Sequence, residues 1–119
     1  MYKFLNLNPC HIQTVDCVIR ACAKALDKTW YDTYLDLAFK GISLCRIMND
    51  NITWGEYLQD NHFTKHDFNG TVIEFTRKHP FGTYVLGTGS HAVCVIDSTY
   101  YDIWDCGDET VFYFYQKEV

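Results

Sequence analysis

The sequence predicts an α+β fold, with helices first and an antiparallel β-sheet last. Two observations carry this. Helix caps followed by apolar residues at helical spacing recur up to Pro80, and beyond it lie four short runs rich in Val, Ile, Thr, Tyr and Phe. The two kinds of signal do not alternate, so βαβ units are not expected.

The first helix is read over Asp16 to Leu26, where Val18, Ile19, Cys22, Ala25 and Leu26 share one face. Asp16 or Thr14 would cap it, and Asp16 and Arg20 form an acid–base pair at i,i+4 that supports the helix by a few tenths of a kcal/mol. A second helix is expected from Thr29 to about Lys40, with Thr29 and Asp32 at capping positions and Trp30, Tyr34, Leu37 and Ala38 recurring at helical spacing. Gly41 would end it, leaving Gly41 to Asn51 as a loop or a short helical turn. Thr53-x-x-Glu56 and Thr71-x-x-Glu74 read as capping boxes for short helices over Thr53 to Gln59 and Thr71 to His79, the second stopped by Pro80. The strands follow as a meander: Thr83 to Leu86, His91 to Ile96, Thr99 to Trp104 and Thr110 to Tyr115. Turn signals at Gly87-Thr88-Gly89, Asp97-Ser98 and Gly107-Asp108 separate them. His91 to Ile96 is apolar on both faces after its first residue, the pattern of a central strand.

With 119 residues, 48% of them hydrophobic, and no Pro/Gly/Ser-rich stretch or internal repeat, residues 1–119 are read as one domain with one core. The net charge of −5, with dispersed Lys and Arg, argues against nucleic acid as a partner. Asn6, Asn8, His11, Gln13 and Asp16 interrupt the first twenty residues, so neither a signal peptide nor a membrane partner is expected and a cytoplasmic location follows. The six cysteines are then most simply reduced thiols, several of them small core residues. No C-x-x-C pair or zinc-ligand spacing occurs, and neither a metal nor another cofactor is expected.

Cysteine chemistry needs a thiolate, which the free N–H groups and dipole of a helix N-terminus favour. Cys17 alone among the cysteines falls at such a position. A thiolate also needs a base, and His91 is the histidine that opens a core strand after a Gly-rich turn. A two-residue loop at Asp97-Ser98 sets His91 opposite Trp104, and a loop lengthened by Thr99 sets it opposite Asp105. Either register leaves an aspartate, Asp105 or Asp102, near the imidazole, to fix its tautomer and stabilise its charged form.

Asp16-Cys17-Val18-Ile19-Arg20-Ala21, Ser90-His91-Ala92-Val93-Cys94-Val95 and Tyr101-Asp102-Ile103-Trp104-Asp105 together resemble the small papain-like cysteine peptidases of phage and bacterial genomes, over almost the whole chain. The resemblance implies a papain-like domain, a nucleophile at Cys17, a base at His91 and Asp105 in the place of the orienting residue, with Asp102 as the alternative. It implies a glutamine six residues before the nucleophile as an oxyanion donor, but His11 stands there. Gln13 is the nearest side-chain amide and Asn8 a second candidate donor.

Two functions follow as expectations. One is a cysteine hydrolase of peptide, isopeptide or related acyl bonds, working through a thioester acyl-enzyme on Cys17. The other is a papain-like module that binds a peptide, a host protein or a small ligand with little or no turnover, in an inhibitory role if phage-encoded. Redox sensing through Cys94 and Cys106 is a third reading without a motif behind it.

Overall fold

The computed structural model describes residues 1–119 and has four helices on a mixed six-stranded sheet. The chain runs β1 (Tyr2–Phe4), α1 (Cys17–Leu26), α2 (Trp30–Leu44), α3 (Asn51–Asp60), β2 (Phe63–Thr71), α4 (Val72–Lys78), β3 (Thr83–Gly87), β4 (Ala92–Ile96), β5 (Thr99–Asp102) and β6 (Thr110–Lys117). No helix is long and apolar enough to cross a membrane.

The strand order, β1-β5-β4-β3-β6-β2, corrects the expected meander. Only β3, β4 and β5 are consecutive neighbours; β6 crosses back to pair with β3, and β2 pairs beyond it. β1 adds a parallel pairing at the other edge. Neither β1 nor β2 was anticipated. β1 is three residues long, and β2 (Phe63–Thr71) carries Lys65, His66, Asp67 and Asn69, which mask any apolar alternation.

Strand alternation divides the core. Val85, Ala92, Cys94 and Tyr115 face Val18, Ala21, Cys22, Leu37, Trp54 and Leu58 of the first three helices. Leu86, Val93, Val95 and Phe114 face Val72 and Phe75 of α4 on the opposite side. The sheet is therefore covered on both faces rather than on one.

Local boundaries have physical causes. α2 runs past Gly41 to Leu44, ending where Cys45 takes a left-handed conformation (φ 56°). Gly41 is needed there for space, since a Cβ would lie 2.6 Å from the Arg46 carbonyl oxygen. α3 starts earlier than its expected capping box: Asp50 accepts from the Ile52 N–H, and Thr53 lies buried inside the helix with an unpartnered hydroxyl. α4 forms with the capping box read from the sequence, Thr71 and Glu74 bonding reciprocally at 3.1 and 3.0 Å.

Candidate active site

Cys17 is the first residue of α1, and α1 is seated by small residues. Ala21, Cys22 and Ala25 meet Ala92 and Cys94 of β4 in one buried cluster, so the helix packs close to the strand. This brings the N-terminus of α1 to the start of β4, where His91 stands. Asp16, the N-cap residue, makes no side-chain cap bond.

The thiol of Cys17 responds to that setting. Burial alone would raise its pKa, but hydrogen bonding with His91, the Ala92 N–H, and the positive charges of His91 and Arg20 together hold it below the ordinary thiol range. The same factors are missing elsewhere. Burial pushes the Cys94 thiol up to about 12 and raises Cys22 further, and burial is also the first cause that raises Cys106.

His91 Nε2 lies 2.5 Å from Asp102 Oδ2. Burial disfavours the charged imidazole, yet hydrogen bonds with Asp102, Cys106 and Cys17 outweigh it and push the pKa up to about 11. Asp102, only 1% exposed, is held below the ordinary carboxylate range: burial opposes its charge, but His91 and Arg20 overcome that. The Trp104 ring lies over His91 with centroids 5.2 Å apart, sheltering the imidazole from water.

The hairpin explains this geometry. Asp97 and Ser98, both at positive φ, form a two-residue turn that pairs Ile96 with Thr99 and Cys94 with Tyr101. The paired residues end at Cys94 and Tyr101, and just beyond them Asp102, the last residue of β5, meets His91, which directly precedes β4. β1 then fixes the Asp102 backbone, whose carbonyl accepts from the Leu5 N–H at 3.0 Å and from the Tyr2 hydroxyl at 3.2 Å. Asp105, expected beside the histidine, is placed elsewhere. It is exposed and accepts from the Tyr100 hydroxyl and the Gly107 N–H, stabilising the turn after β5.

Neither expected amide reaches the cleft at Cys17. Asn8 is buried with its amide committed, its Nδ2 donating to Asp16 at 3.2 Å and its Oδ1 accepting from the Cys10 N–H at 2.9 Å. Gln13 is exposed and outside the cleft lining. The cleft is an open space of about 290 Å³ whose walls include Cys17, His91, Gly89, Trp54, Asn49 and Asn51. Gly89 sits at φ 91°, a conformation that favours glycine in the turn leading to His91. Asn51 accepts from Trp54 Nε1 at 3.0 Å, which orients its amide and leaves its NH₂ group for the cleft. An apolar groove adjoins at Val18 and Asn49, lined by Ile12, Val15, Trp30 and Ile47.

Arg20, read from sequence only as a helix-supporting partner of Asp16, is buried at the centre of an ionic network. Its Nε donates to Asp16 Oδ1 at 2.8 Å and its Nη1 to Asp102 Oδ1 at 3.0 Å. The available signal is the composition of α1: Arg20 lies among Val18, Ile19, Ala21 and Cys22 in a helix apolar almost all round, where an arginine needs buried acidic partners. Cys106 is also close, with His91, Asp102 and Cys106 presenting ligand atoms within 4.8 Å of one another. These three could hold a metal ion in principle, but the Arg20 guanidinium on the same carboxylate sets a positive charge against any cation there.

No protein-family model, no curated protein and no solved structure matches this chain, so function rests on the geometry alone.

Proposed function

We propose that the protein is a papain-like cysteine hydrolase of peptide, isopeptide or related acyl bonds, with Cys17 as nucleophile, His91 as acid–base group and Asp102 as the residue that orients His91. The observation that carries this reading is a cleft walled by both Cys17 and His91, with the His91 Nε2 bonded to the buried Asp102 carboxylate. The thiolate attacks the substrate carbonyl carbon, forming the S–C bond and an oxyanion. The Cys17 N–H and the amide of Asn49 or Asn51, which line the cleft, are the donors for that oxyanion. The His91 imidazolium passes its proton to the leaving nitrogen as the C–N bond breaks, giving a thioester. Neutral His91 then takes a proton from water, whose oxygen displaces the sulfur and releases the acid. Six free thiols fit a reducing, cytoplasmic setting for this chemistry, and the apolar groove offers room for a substrate side chain next to the cleft.

One observation favours a second reading, a papain-like module that binds a peptide or host protein without turnover: both expected oxyanion amides lie away from the cleft. The two readings separate with p-nitrophenyl acetate as acyl donor and intact-mass detection of the product. Hydrolysis predicts a transient acetyl group on Cys17 and steady p-nitrophenol release, both lost in Cys17→Ala. A stable adduct without steady release favours the binding module, and no adduct removes the hydrolase reading.

A further inference from the structure

We propose that Arg20 is a positioning residue of this site: its guanidinium, held between Asp16 and Asp102, locks the Asp102 carboxylate toward His91 and ties it to the helix that carries Cys17. The proposal rests on the hydrolase reading for its significance, and on the ionic network for its substance.

Two donors, Arg20 Nη1 at 3.0 Å and the Ile103 N–H at 2.8 Å, occupy Asp102 Oδ1. With that oxygen fixed, the plane of the carboxylate is set and Oδ2 is turned to His91 Nε2 at 2.5 Å. Arg20 is itself fixed from behind. Asp16 holds its Nε at 2.8 Å, and Asp16 is held in turn by Asn8 Nδ2 at 3.2 Å and Trp30 Nε1 at 3.0 Å. Asp16 directly precedes Cys17, and Arg20 lies one helical turn beyond it. A single side chain thus bridges the end of α1 that carries the thiol and the end of β5 that carries the acid, 82 residues apart.

Stability alone is a weak reason for such a network. Apolar side chains of similar volume commonly hold a fold as well as a buried ion pair does. Arginine is suited to the bridge because its planar fork reaches two carboxylates in fixed directions, whereas lysine offers a point charge. Asp102 is faced by His91 from the start of β4, Arg20 from α1, Cys106 from the loop after β5 and Tyr2 from β1. Among these, Arg20 is the permanent cation.

Charge and positioning have opposite consequences for His91, which makes the proposal testable without turnover. The positive charge of Arg20 weakens the pull of Asp102 on the imidazole proton, so loss of charge alone raises the titration midpoint of His91. Loss of positioning frees the carboxylate to rotate away and lowers the midpoint.

The test uses the full chain with ring-labelled histidine, following His91 by NMR titration in wild type, Arg20→Met and Arg20→Lys, and recording the pH profile of Cys17 alkylation alongside. The His91 midpoint is expected to fall by about one pH unit or more in Arg20→Met and to recover only in part in Arg20→Lys. An unchanged or raised midpoint in a folded Arg20→Met protein overturns the proposal. If that variant does not fold, Asp16→Asn loosens the same bridge from behind; a lowered midpoint there supports positioning, and an unchanged or raised one refutes it. Ordinary thiol reactivity at Cys17 in the wild type would overturn the hydrolase reading while leaving the His91 titration to decide the role of Arg20.

Discussion

Replacing Asp102 by Asn keeps the shape of the side chain and removes its charge, and the structure allows the effect to be sized. The carboxylate oxygen lies 2.5 Å from His91 Nε2 and Asp102 is 1% exposed, so solvent screens the pair little. Unit charges about 4 Å apart at an effective dielectric of about 20 interact by about 4 kcal/mol. That corresponds to about three pH units on the imidazole. The His91 midpoint, raised to about 11 in the wild type, should therefore fall by roughly two to three units in Asp102→Asn, with Cys17 and Cys106 still holding part of the charge. With the midpoint still at about 8 to 9, His91 keeps its charge at pH 7, so slower iodoacetamide alkylation of Cys17 should appear only as pH rises past about 8. Stability should drop by about 3–5 kcal/mol, because Arg20 is left buried with one acidic partner. Asp105→Asn is the matched control. It weakens the bonds to Tyr100 and Gly107 and should cost about 1 kcal/mol of stability, leaving the His91 titration and Cys17 alkylation unchanged. NMR titration, alkylation rates and urea unfolding of the two variants decide the matter: effects on His91 from Asp105→Asn and none from Asp102→Asn would refute the assignment.

Three further outcomes follow. In the wild type, unfolding releases a proton from His91 but returns one to Cys17, so the two oppose each other below the ordinary thiol range, and stability should decline above about pH 9, where His91 alone acts. In Cys17→Ala only the raised His91 remains, and stability measured by urea should decline from about pH 7 upward. At acid pH the lowered carboxyls of Asp16 and Asp102 contribute stability that is present above about pH 4 and lost as pH falls through their folded values, so acid unfolding should be milder in Asp16→Asn. Replacing Asn49 and Asn51 singly by Ala should slow acetylation of Cys17 about a hundredfold for the residue that donates to the oxyanion, while Gln13→Ala leaves the rate unchanged; equal rates in all three would remove the side-chain amide from the mechanism.

The sequence made the helix carrying Cys17 and the strand after His91 legible because their signals are local: apolar spacing, a cap position and a run apolar on both faces. The Asp97-Ser98 loop offered two hairpin registers, and the structure takes the one with the two-residue turn. What it left open was the orienting acid, because Asp102 meets His91 beyond the last paired residues of the hairpin, where no register fixes the contact. β1, which fixes the Asp102 backbone, is too short to carry a pattern of its own. The pairing of β6 with β3 is a long-range choice among strands of similar composition. Arg20 was read through its i,i+4 neighbour alone, since its bond to Asp102 spans 82 residues and no local spacing records it. The amides lining the cleft come from the loop after α2 and the first residue of α3, whose positions depend on how those helices pack.

The central claim, that Cys17 is a nucleophile made reactive by its surroundings, is tested most directly by site-resolved alkylation. The native protein is treated with iodoacetamide over a range of pH, and the rate at each of the six cysteines is read by mass spectrometry. The account predicts that Cys17 reacts fastest at pH values below the ordinary thiol pKa, ahead of the more exposed Cys10 and Cys45, with Cys22, Cys94 and Cys106 protected until unfolding. Alkylation of Cys17 no faster than that of Cys10 and Cys45, and rising only near the ordinary thiol pKa, would contradict it.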